Sequence, residues 1–152
     1  MQPTRTLTAH CTLSHPADGQ PLLTINNEHA KAEISLFGAH VLRYQRHSEP
    51  ASLWLSDKAV LDGSKPIRGG IPLCWPWFGP APARVGSGKP AHGFARTSLW
   101  TLDGVSDHGD GTLVHLSLRD TDASRALWPH AFELELDVLV GKELSLVLTT
   151  RN

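Results

Sequence analysis

The sequence predicts an all-β fold, an antiparallel β-sandwich, and three observations carry that reading. Residues alternate apolar and polar over short stretches: Phe132, Leu134, Leu136 and Val138 share one face, and Glu133, Glu135 and Asp137 the other. That is the pattern of a sheet packed on one side and wetted on the other. Turn formers are abundant, with 13 Gly and 11 Pro in 152 residues, which disfavours helix bundles. No segment sustains the 3.6-residue apolar period of an amphipathic helix.

Taken in order, Leu22–Asn26 is the first strand and Ala32–Phe37 the second, with Ile34 and Leu36 alternating against polar or small neighbours. Gly38 breaks the pattern and His40–Gln45 resumes it. Ser52–Ser56 reads as a short strand. Thr112–Arg119 alternates cleanly, Leu and Val opposing His115 and Ser117. Thr121–Leu127 is the one stretch compatible with a helical turn. Phe132–Val138 and Leu144–Thr149 form a hairpin about the Gly141-Lys142 turn.

Size and charge narrow the function. A chain of 152 residues is one domain, long enough for a core without disulfides or metal. Its 14 Lys+Arg nearly cancel 15 Asp+Glu, so nothing electrostatic points to nucleic acid or an anionic membrane as partner. Apolar runs such as Ile71–Phe78 are too short to span a bilayer. Two distant cysteines, Cys11 and Cys74, make no disulfide framework, and with no apolar leader at the N-terminus the expected compartment is the cytoplasm. Cys74, within Leu73-Cys-Trp75, is expected to be a buried small hydrophobe.

Candidate chemistry concentrates between Gly63 and Gly93, where seven glycines and six prolines interrupt 31 residues. Gly86-Ser-Gly-Lys89 suggests a phosphate loop but lacks Gly at Ala83 and Ser or Thr at Pro90, and no helix is expected after it. It reads as a flexible turn. The nine histidines show no HxxH, HExxH or finger spacing, so no metal is expected. What remains is Pro66-Ile-Arg-Gly-Gly-Ile-Pro-Leu-Cys-Trp-Pro-Trp-Phe-Gly79, then Ala91-His-Gly-Phe-Ala-Arg96 and Trp100. Arg68 and Arg96, each beside a glycine turn, can grip a phosphate or carboxylate bidentately. Trp75, Trp77 and Phe94 offer flat faces for a pyranose, and His92 a neutral hydrogen-bonding group. The competing reading makes Trp75, Trp77 and Phe78 core residues and pairs both arginines with surface carboxylates.

These two segments resemble the signature of the hexose-6-phosphate mutarotases, the glucose-6-phosphate 1-epimerase branch of the aldose 1-epimerase family. The resemblance runs from about Leu22 to Asn152 and includes Phe37–His40, Leu118-Arg-Asp120, Trp128 and the closing hairpin. It implies a galactose mutarotase-type β-sandwich that interconverts the α and β anomers of a hexose 6-phosphate without a cofactor. Arg68 and Arg96 would then bind substrate, facing the phosphate, and His92 would line the sugar pocket. Ala91 stands where some relatives carry Gln. The family's acid–base histidine and glutamate lie later than the matched segments, so neither is assignable here. On this reading residues 1–152 are the N-terminal part of one sandwich domain, incomplete in this chain, with site-bearing loops at about 63–96. Self-association through uncovered sheet is then expected. The alternative function is a non-catalytic sugar-phosphate-binding or regulatory module.

Overall fold

The computed structural model describes residues 3–152. Two antiparallel meanders make up the sandwich. The first holds β1 (Arg5–Thr6), β2 (Cys11–Ser14), β3 (Leu22–Asn26), β4 (Ala30–Ser35) and β5 (His40–Arg46), in that spatial order. The second holds β6 (Thr101–His108), β7 (Gly111–Arg119), β8 (Glu133–Gly141) and β9 (Leu144–Arg151). Residues between β5 and β6 form a long excursion with only two 3-10 turns, Ala83–Val85 and Ala95–Thr97.

Alternation decides which residues meet. Leu23, Ile25, Ile34 and Val41 of the first sheet face Val114, Leu116, Leu134, Leu136 and Val138 of the second, all fully buried in one core. Burial of this kind contributes roughly 1.5–3 kcal/mol per large side chain. Phe37, Leu42 and Ile67 form a smaller cluster of their own. Glu133, Glu135 and Asp137, expected on a wetted face, sit there half-buried and paired across strands with Arg119, Arg151 and His115.

Two side chains, Tyr44 and Asn27, carry polar bonds between the sheets. The Tyr44 hydroxyl donates to the Gly141 carbonyl at 2.8 Å. The buried Asn27 amide donates to Thr112 Oγ1 at 3.0 Å and to the Val140 carbonyl at 2.8 Å, while its Oδ1 accepts from the His29 and Ala30 amides. Every hydrogen-bonding group of that side chain is used.

Several elements differ from expectation. Ser52–Ser56 is not a strand; it makes a single bridge, Leu55 to Gly69, because Trp54 is exposed and no neighbouring strand continues the ladder. β1, β2 and β6 were not expected. The first two are only two and four residues long, and a register shift between Leu102 and Gly104 breaks the alternation of β6. The Thr121–Leu127 turn is the helix α1 (Asp122–Leu127), started by a capping box in which Thr121 and Ser124 exchange side-chain and backbone bonds. Lys89 donates to the Ala126 carbonyl at 3.0 Å, so the Gly86–Lys89 turn is tied to the end of that helix. Cys74 is half-buried rather than buried, whereas Cys11 is enclosed. No helix among the described residues is long and apolar enough to cross a membrane.

Candidate functional site

Two loops converge beside the start of β5. The first carries Arg68 and is clamped along its backbone. Gly70 donates to the Trp54 carbonyl at 2.8 Å, Ile71 donates to the Val41 carbonyl at 2.9 Å, and Ser56 donates to the Arg68 carbonyl at 3.1 Å. Gly70 has φ +62°, and a Cβ there would collide with the Val41 carbonyl and crowd His40. The loop can lie this close to the sheet only as glycine.

The second loop carries His92 and Arg96. Its anchor is the Trp75 carbonyl, which accepts from the Phe94 and Ala95 amides at 3.0 and 3.2 Å. Gly93, at φ +70°, leaves no room for a Cβ against that carbonyl. His92 itself adopts φ +63°, a region that non-glycine residues seldom occupy. It is held there reciprocally: its amide donates to the Gly79 carbonyl at 2.8 Å, and Nδ1 accepts from the Gly79 amide at 2.9 Å. A neutral imidazole that accepts at Nδ1 carries its proton on Nε2, so His92 presents a donor. The Trp75–Pro76 peptide bond between the loops is cis.

The arginines are the distinctive feature. Five of the chain's arginines make ion pairs: Arg43 with Glu33, Arg46 with Glu49, Arg119 with Glu133, Arg125 with Asp120 and Arg151 with Glu135. Arg68 and Arg96 pair with no carboxylate among the described residues, against the competing reading that both do; Arg5 and Arg84 are unpaired as well, but Arg68 and Arg96 are the two on these converging loops. Arg96 donates only to the Ala91 carbonyl, at 3.1 Å, and its Nε is buried without a partner. Guanidinium groups left without a counter-ion suit an incoming anion.

His40 lies between the loops, 1% exposed. Its Nε2 donates to the Gly69 carbonyl at 2.6 Å, which leaves Nδ1 as a buried lone pair without a partner. Burial lowers the imidazole's pKa; the Gly69 bond opposes that shift and the nearby Arg96 charge adds to it. The turn leading into His40 abuts the second loop, since Gly38 donates to the Ser98 carbonyl at 2.7 Å and Trp100 to the Leu36 carbonyl at 2.9 Å.

The aromatic residues divide differently from expectation. Phe94 is 3% and Trp77 8% exposed, both inside the core, with Trp77 Nε1 donating to the Pro90 carbonyl. Their burial leaves no open ring face for a sugar. Trp75 is half-buried and meets Phe94, Trp128 and Phe132 at centroid distances of 6.0, 5.2 and 4.7 Å. It too is engaged in packing. Two aromatic residues are open: Trp54, 64% exposed, whose carbonyl holds the Arg68 loop, and Phe78, 81% exposed and edge-on to His92 with ring centroids 4.8 Å apart. Sequence reasoning gave Phe78 no role outside the competing core reading and none to His40; the Gly79 after the one and the Gly38 before the other are the local signals of exposure or close approach.

Clefts of several hundred cubic ångströms lie elsewhere. One of about 540 Å³ is lined by His29, Asp110 and Lys142, and one of about 390 Å³ by His115, Arg119 and Glu135. In the second the charged groups already satisfy one another, with His115 Nδ1 2.5 Å from Asp137 Oδ1. We place the candidate site at Arg68 and Arg96, unpaired arginines whose loops converge, because free guanidinium groups matter more to anion recognition than cleft volume.

Comparison with known proteins gives the family and the fold. A family model described as aldose 1-epimerase matches residues 21–152. A protein of Escherichia coli K12, provisionally named glucose-6-phosphate 1-epimerase, is 39% identical over 82% of this chain and 42% of its own length. The crystal structure of a provisionally identified mutarotase, YeaD from Salmonella typhimurium, superposes with a TM-score of 0.91 at 34% identity, over 99% of this chain and 50% of that one. A galactose mutarotase-related enzyme from Lactobacillus acidophilus, at 18% identity and TM-score 0.60 over 85% of this chain and 43% of its own, shares the fold. The chain thus spans about half the length of these relatives.

Proposed function

The chain belongs to the aldose 1-epimerase family, and from that premise we propose that it supplies the phosphate- and sugar-binding part of a hexose-6-phosphate 1-epimerase site. The observation that carries this reading is that Arg68 and Arg96, two of the four arginines without a carboxylate partner among the described residues, lie on loops that meet beside the start of β5. Arg68 and Arg96 hold the phosphate through charge-assisted hydrogen bonds. His92 offers its Nε2–H to an oxygen of the sugar, and Phe78 beside it gives an apolar wall for the ring. Interconverting anomers requires one group to take the proton of the anomeric hydroxyl while another protonates the ring oxygen. The two exchange roles after the open aldehyde rotates. No residue here is assigned to that pair: His92 is a pocket group, and Glu135 is ion-paired to Arg151 on the opposite sheet. The reaction needs no cofactor.

Titration calorimetry tests the binding role. Replacing Arg68 or Arg96 by alanine removes charge-assisted bonds worth about 1.5–3 kcal/mol, roughly tenfold to a hundredfold in affinity. The loss should appear with glucose 6-phosphate and be nearly absent with glucose. Equal losses with both sugars would remove the phosphate assignment. Anomer exchange of glucose 6-phosphate, followed by NMR with the folded chain, addresses the chemistry. A rate equal to buffer is expected, and acceleration would place an acid–base pair within these residues.

A further inference from the structure

We propose that His40 is a positioning residue for this site, an interior strut that sets the spacing between the Arg68 and Arg96 loops. Three observations converge on it. Its Nε2–H···O=C bond to Gly69, at 2.6 Å, is the single side-chain bond from β5 to the loop that carries Arg68. Gly70 presses its backbone against the same imidazole, where an added Cβ would lie 3.0 Å from Nε2. The Leu36–Ala39 turn immediately before His40 receives the Arg96 loop: an added Cβ at Gly38 would lie 2.6 Å from the Arg96 carbonyl. One rigid turn therefore touches both arginine loops within three residues.

The chemistry explains why an imidazole serves here. The bond needs an N–H donor at that reach on a side chain that stays neutral, since a second cation beside Arg96 would repel it in a buried setting. Lysine or arginine fails the second requirement, and leucine or phenylalanine fails the first by orphaning the Gly69 carbonyl. His40 Nδ1 and Arg96 Nε are the buried side-chain atoms without partners among the described residues. The buried side-chain atoms left unmet thus sit on either side of the loop junction, and unsatisfied groups of this kind call for an explanation beyond the packing of the fold.

The ligand arm of this inference rests on the hexose-phosphate reading, so the test has arms that do not. Long-range proton–nitrogen NMR on the wild-type chain should find His40 as the Nε2–H tautomer, neutral at pH values where an ordinary imidazole is protonated. A Nδ1–H tautomer would overturn the proposal. His40→Phe keeps a ring without the donor, and His40→Gln restores an N–H at similar reach. In the Phe variant, amide exchange at Gly70 and Ile71 should quicken by about tenfold while Ile25 and Ile34 stay protected, and glucose 6-phosphate affinity should fall by about tenfold. The Gln variant should recover both to within about threefold. A Phe variant that matches wild type, or a Gln variant no better than the Phe one, overturns the strut. Should the Phe variant fail to fold, the tautomer and the exchange pattern of the Gln variant decide. If wild type binds neither glucose 6-phosphate nor inorganic phosphate, the functional reading fails, and the tautomer and exchange arms still decide on His40.

Discussion

Gly93 and Cys11 carry the sharpest single-residue expectations. At Gly93, φ +70° combines with a Cβ position inside the Trp75 carbonyl, so alanine meets both backbone strain and a clash. Strain of this kind costs on the order of 1–3 kcal/mol before the clash is counted. Gly93→Ala should lower the urea midpoint accordingly, and an unchanged midpoint would show the loop free to move. Burial pushes the Cys11 thiol up to about 11, with Asp107 adding to the shift. The unfolded chain releases that proton near the ordinary 9, so stability is flat below that pH and declines as pH rises toward 11. Tyr44, also raised by burial, declines in the same sense. A Cys11→Ala variant isolates the thiol: its stability curve should fall less steeply between pH 9 and 11, and parallel curves would refute the assignment. At this scale the sequence puts Arg68, His92 and Arg96 beside glycine turns, and the structure has them there; their role in binding is the proposal made above. Trp77 and Phe94 were misjudged because an aromatic beside a glycine turn reads the same whether its ring faces core or solvent.

Strands were legible where alternation is long. β3, β7 and β8 lie within a few residues of their expected bounds because each presents at least two apolar residues to one buried face. β6 escaped because its bulge at Leu102–Gly104 shifts the pattern between faces midway. Nothing in its own segment tells that Leu55 of the supposed Ser52–Ser56 strand pairs with Gly69 alone, since the partner is a loop. The joint between sheets was equally invisible: Asn27 follows β3 in what reads as a polar turn, yet it is buried and bonds across to β7 and β8. Asn27→Ala leaves the Val140 carbonyl, the His29 amide and the Ala30 amide without these partners. A buried polar group so orphaned costs about 1–3 kcal/mol. Thermal or urea unfolding of Asn27→Ala should show a loss of at least that size. Asn27→Asp would keep the acceptor and lose the two donors, and should fall near Ala rather than near wild type.

For the whole molecule, the covering of the second sheet decides behaviour in solution. β9 bonds to β8 along one edge, and among the described residues no strand lies along the other. On its outer face Val147 is 55% exposed, opposite Asp137; on its inner face Leu148 is 39% exposed, although its neighbour Leu136 is sealed. The core therefore thins toward this edge, and the edge offers unpaired backbone groups flanked by apolar side chains. Such strands recruit further strands unless charge or proline blunts them, and β9 has no charge before Arg151. We expect the 152-residue chain to self-associate, its sedimentation coefficient rising with concentration. Val147→Lys places a charge on the exposed face of that edge without entering the core, and should flatten the dependence while leaving the unfolding free energy within about 0.5 kcal/mol of wild type. A wild-type coefficient independent of concentration would mean that this edge is blunted by its twist alone. Association that survives Val147→Lys would move the contact to another apolar surface, of which the exposed Phe78 beside His92 is the one at the proposed sugar site.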